Sequence, residues 1–70
     1  MSEPKLWALL AAYHGEETKW ARANTIRALC DAGLIRFLGN SAGGNYGTTP
    51  AGNEWIETHQ DSVTRLRAIQ

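Results

Sequence analysis

Residues 36–52 read RFLGNSAGGNYGTTPAG, and no other stretch restricts the possible folds so much. Five of the chain's seven glycines lie in it: Gly39, Gly43, Gly44, Gly47 and Gly52. Glycine loses more conformational freedom on folding than any other residue, so such a run opposes regular structure. Residues 39–44 are turn formers throughout, tolerant of unusual backbone angles. Just before them Ile35 and Phe37 alternate with Arg36, the period of a strand. Just after them Tyr46 and Thr48 fall on one face of a second short strand. The spacing predicts a β-hairpin whose loop is about six residues long. Thr49-Pro50 then starts a helix, with threonine as N-cap and proline at the first helical position, where its missing N–H is not needed. Glu54, close to that start, suits the helix dipole.

Two helices are predicted before the hairpin. SEPKLWALLAAYH is the first, with Ser2 or Glu3 as cap and Pro4 in the first turn. Leu6, Leu9, Leu10 and Tyr13 recur at helical spacing and form one stripe to be buried. Trp7 lies off the stripe, at the core's edge or toward a partner, and Gly15 ends the helix. NTIRALCDAGLI holds the next, with Asn24 or Thr25 as cap and Ile26, Leu29 and Cys30 on one face. Gly33 suits a left-handed position after that helix, and Leu34 the apolar contact that accompanies it. EETKWARAN, between the two, reads either as a short helix or as a connector. The C-terminal helix carries Trp55, Ile56, His59, Val63 and Leu66, with Asp61-Ser62 as a place where it can break in two.

Seventy residues bound the chain to one small domain, residues 1–70, with a thin core. A single cysteine leaves no disulfide to staple it, and Cys30, His14 and His59 lack metal-ligand spacing, so no metal or other cofactor is expected. No apolar run approaches the ~20 residues of a membrane span. The N-terminus lacks a signal-peptide pattern, and the expectation is a cytoplasmic protein with a reduced thiol. Formal net charge is zero, which excludes a strongly polybasic binder but not a local basic face. The charge is in fact segregated. Residues 19–36 hold Lys19, Arg22, Arg27 and Arg36 against Asp31 alone, while acids outnumber bases elsewhere.

The element order resembles the winged helix-turn-helix family, and the motifs sharpen the likeness. TIRALCDAGLI is similar to that family's recognition helix running into its first wing strand, with Leu29, Gly33, Leu34 and Ile35 on the matching positions. YGTTPAGNEWIE is similar to the return strand and following helix, matching at Tyr46, Thr49 and Gly52; Thr48 stands where leucine is usual. The likeness is most specific across residues 24–57, about half of the chain. The segment GEETKWARAN occupies the place of the family's second helix, which here is either one or two turns or merged with the third. The resemblance implies a mainly α fold with a two-stranded β-hairpin wing (α+β), and binding to double-stranded DNA.

On that reading Lys19, Arg22, Arg27 and Arg36 contact phosphates, and Asn24 and Thr25 read bases or cap the helix. Asn40, Ser41, Asn45 and Tyr46 add hydrogen-bonding groups along the wing. Trp55, Ile56, His59, Val63 and Leu66 then form the seam of a homodimer; the alternative is that residues 50–70 pack on helix one in a monomer. The expected function is a small transcriptional regulator occupying an operator as a dimer, of a size suited to a phage or mobile element. The alternative is a winged-helix module that binds a protein, as inhibitor or adaptor, and not DNA. The wing tip favours this second reading, because it carries no lysine or arginine. Catalysis is not expected: His14 beside Glu16 and Glu17 has no nucleophile near it, and no small-molecule substrate is implied.

Overall fold

In a computed structural model, which describes residues 1–39 and 46–68, the chain forms four helices and one hairpin. Helix α1 spans Glu3–Tyr13 and α2 spans Ala23–Asp31. Strands β1 (Ile35–Phe37) and β2 (Tyr46–Thr48) pair antiparallel, with Ile35 opposite Thr48, Arg36 opposite Gly47 and Phe37 opposite Tyr46. Helices α3 (Pro50–Thr58) and α4 (Gln60–Ala68) follow. The class is therefore α+β, mainly helical. No described helix is long and apolar enough to cross a membrane.

Helix α1 is the centre of the molecule, packed against α2, β2 and α3. Leu6, Leu9 and Leu10 are buried as their spacing predicts, but so are Ala8, Ala11 and Ala12. The three alanines let neighbouring backbones approach closely, so the helix is enclosed on more than one side. Tyr13 corrects the predicted stripe. It is 42% exposed, because the helix ends there and its ring leans edge-on against His14 at 5.2 Å. Gly15 reverses the chain at φ +71°, with Gly15 N–H donating to Ala12 and Glu16 N–H to Ala11. This is the paired bonding that satisfies a helix's last carbonyls.

Between α1 and α2 no helix forms; residues 14–22 make turns, so the connector reading holds. Thr18 is its buried anchor. Helix α2 begins two or three residues earlier than expected. Arg22 occupies the N-cap, without a side-chain cap bond, so Asn24 and Thr25 lie within the first turn and do not cap it. Its C-terminus follows the prediction. Gly33 takes φ +76°, its N–H donates to Cys30, and Leu34 N–H donates to Leu29. Leu9 and Leu29 are the largest fully buried side chains, each worth about 1.5–3 kcal/mol of burial.

The hairpin closes at its base. Thr49 N–H donates to Leu34 O at 3.1 Å, and Thr49 Oγ1 donates to Gly33 O at 2.5 Å. The same hydroxyl accepts from Gly52 N–H at 3.1 Å, making Thr49 the predicted N-cap of α3. Thr48, where the resemblance puts leucine, is held by a hydrogen bond instead: its Oγ1 donates to Asn53 Oδ1 at 2.5 Å. Ile35 is buried, yet Phe37, two residues on and on the same face, is 57% exposed and meets the Tyr46 ring edge-on at 5.5 Å. The strand runs past the edge of the core between those two residues.

The C-terminal helix breaks at His59 rather than at Asp61-Ser62. Side chains compete there for the last carbonyls of α3. His59 Nδ1–H donates to Trp55 O at 2.7 Å, Thr58 Oγ1 to Glu54 O at 2.9 Å, and Gln60 Nε2 to Ile56 O at 2.9 Å. The His59 backbone N–H shifts to Ile56 O at 3.3 Å, and the helical ladder ends. The imidazole stacks on Trp55, 3.9 Å between centroids and 6° from parallel. After the break, Val63 and Leu66 are buried, as is Ile56 before it, all within the core cluster that holds Leu6, Leu9 and Leu10. Within one copy, residues of α3 and α4 thus join the core around helix one. These three apolar residues face the chain's own helix one, and only His59, exposed, and Trp55, half-buried, stay near the surface.

Candidate nucleic-acid interface

The basic residues of 19–36 come from three elements; Lys19, Arg22 and Arg27 line hollows beside α2, whereas Arg36 lies apart on β1. Lys19 sits in the connector, Arg22 at the N-cap of α2, Arg27 on the helix and Arg36 on β1; all four are exposed. Among the described residues none of them is held in an ion pair or a side-chain hydrogen bond. Long cationic side chains without an internal partner keep their full capacity for an external anion.

Two shallow hollows organise this face. The first is lined by Lys19 and Arg27, with Thr18, Ile26, Cys30 and Tyr46 forming its floor and wall. It brings a connector lysine, a helix arginine and a strand tyrosine to one place, a juxtaposition that only the folded chain makes. The second is lined by Arg22 and Thr25 together with Ser2, Pro4, Lys5 and Trp20. Ala21 borders both, so the two hollows adjoin. Neither has an acidic residue in its lining. The nearest acid of α1, Glu3, lies by a separate depression on the side of Arg65 and Leu66.

The remaining predicted residues are spread more widely. Asn24 is exposed in the first turn of α2 but lines neither hollow. Arg36 points away from the core on the face of the hairpin opposite Ile35 and lines neither. Asn40, Ser41 and Asn45 lie outside the described residues. Two residues were not predicted for this face, Lys5 and Trp20. Lys5 is fifteen positions before Trp20 in the sequence and no local pattern links them; the packing of α1 beside α2 does.

Burial, and secondarily the neighbouring Asp31 carboxylate, push the Cys30 thiol above its ordinary value, which keeps it protonated and a poor nucleophile. Among the described residues no three of His, Cys, Asp and Glu gather as metal ligands. No family model, no curated protein and no solved structure matches the chain.

Proposed function

We propose that the chain is an abbreviated winged helix-turn-helix domain that binds double-stranded DNA through the face at the start of α2. The observation that carries this reading is the gathering of exposed Lys19, Arg22 and Arg27, none ion-paired among the described residues, around two adjoining hollows with no acid in their lining, in a chain of zero net charge. Phosphate contacts need such cations, and base reading needs polar side chains at the front of a helix, where Asn24 and Thr25 stand. The order of helix, helix, two-stranded hairpin and helix supports the same family reading. The connector 14–22 replaces a separate helix, so α1 takes over the support of α2. The Cα trace extends 32 Å along its longest axis, comparable to one turn of duplex, about 34–36 Å, so one copy meets one stretch of major groove. This reading takes one copy as the binding unit, because Ile56, Val63 and Leu66 are buried within it.

The test is DNA affinity as a function of salt. Lys19, Arg22, Arg27 and Arg36 acting on four phosphates predict a log–log slope of about −3.6, or about 150-fold weaker binding at 200 mM than at 50 mM salt. Arg22→Gln and Arg27→Gln should each flatten that slope. An absence of binding at 50 mM salt, or binding indifferent to both substitutions, overturns the proposal.

A second reading rests on Phe37 and Leu38, 57% and 54% exposed beside the half-buried Tyr46. Adjacent exposed apolar side chains on a hairpin suit a protein partner. If that surface is the functional one, a defined partner will be lost on Phe37→Ser and kept on Arg27→Gln.

A further inference from the structure

The geometry points to a second phosphate-and-sugar subsite, formed by Lys5, Trp20 and Arg22, that grips the DNA backbone beside the groove entered by α2. It rests on the DNA-binding reading above. The three side chains line one hollow, although they come from α1, the connector and the N-cap of α2.

Trp20 is the centre of the argument. It is 57% exposed, the most exposed of the three tryptophans, in a chain too small to leave apolar area open without cost. Its indole is nevertheless oriented by a hydrogen bond, since Nε1–H donates to Glu17 O at 2.8 Å within the same connector. That bond uses the ring's one donor, so what remains for a ligand is apolar ring area. An oriented aromatic plate sharing its hollow with two cations matches one repeating chemical unit. The indole takes the apolar edge of a deoxyribose, while Lys5 and Arg22 take the phosphates on either side of it. The hydroxyls of Ser2 and Thr25, which line the same hollow, supply neutral donors to phosphate oxygens. A single ring in a shallow hollow suits a backbone sugar better than a run of unstacked bases, which needs several aromatic platforms. The subsite adjoins the α2 face, because Arg22 is the N-cap of α2 and Ala21 lines both hollows.

Lys5 and Trp20 leave different signatures, and a salt series separates them. A fifth phosphate contact steepens the slope to about −4.5, and Lys5→Gln should return it to about −3.6. Trp20→Ala removes about 40 Å² of buried ring, so affinity should fall about fivefold with the slope unchanged. Trp20→Phe should restore most of it. Circular dichroism of each variant confirms that the fold is intact. In a Trp7→Phe/Trp55→Phe background, duplex DNA should shield the remaining tryptophan from acrylamide. If the wild type binds and Arg27→Gln weakens it, while Lys5→Gln and Trp20→Ala change nothing, the subsite is refuted and the α2 reading stands. If the wild type does not bind duplex DNA, both fail together.

Discussion

Replacing Gly52 by alanine tests whether α3 seats on the hairpin as described. Gly52 is the third residue of α3 and is buried. A Cβ built there would overlap the carbonyl oxygen of Leu34, with the Leu34 carbonyl carbon at 3.1 Å and Thr48 Cβ at 3.2 Å. Helix propensity alone favours alanine by about 1 kcal/mol. The obstacle is backbone, however, and it is tied down, since Leu34 O accepts from Thr49 N–H. No side chain can rotate away, so α3 must shift off β1. Overpacking of this kind costs about 1–3 kcal/mol, and the shift also loosens the Thr49 cap, worth about 1 kcal/mol. The net expectation is a loss of about 2 kcal/mol, in a chain whose core rarely supplies more than about 3–5 kcal/mol. Thermal unfolding followed by circular dichroism should show Tm lowered by about 8–16 °C. Gly47→Ala is the matched control. There the added carbon meets Leu38 Cδ1 at 2.7 Å, the end of an exposed and movable side chain, so the change should stay within about 0.5 kcal/mol. A Gly52→Ala protein that melts at or above the wild-type temperature refutes the described seating of α3.

Leu66→Asp places a charge in the core between α4 and α1, so it should unfold the chain, seen as lost helical signal at 25 °C. A folded variant whose only change is a smaller sedimenting mass would show that Leu66 joins two copies instead. Cys30 should react with iodoacetamide at pH 8 more slowly than an unhindered thiol, because burial and Asp31 keep it protonated. A rate equal to that of free cysteine contradicts that environment.

Much of the fold was legible because local chemistry and packing agree. Gly33 follows α2 and Thr49-Pro50 starts α3 where turn and cap rules put them. The misses have identifiable physical causes. Ala8, Ala11 and Ala12 give no periodic signal, so the sequence understated how fully α1 is enclosed. Phe37 obeys the strand alternation of Ile35, but period says nothing about where a core ends. His59 breaks the last helix by a ring nitrogen capturing a backbone carbonyl, a contest that residue spacing does not reveal. That break turns Val63 and Leu66 onto α1, where a continuous helix had suggested a seam between copies. For the candidate interface, the clustering of Lys19, Arg22, Arg27 and Arg36 was visible as charge segregation. The addition of Lys5 and Trp20 was not, because it depends on how α1 lies beside α2.

The closure of the hairpin has a consequence for how such a chain can change. Thr49 ties the return strand to Gly33 and Leu34, and Gly52 fits α3 against the same carbonyl. The fastening therefore sits below the strands, in residues distant from the Gly-rich segment that joins their far ends. Insertions or exchanges in that segment leave the clasp in place. The scaffold can thus tolerate changes of sequence and length between the strands while its base stays fastened.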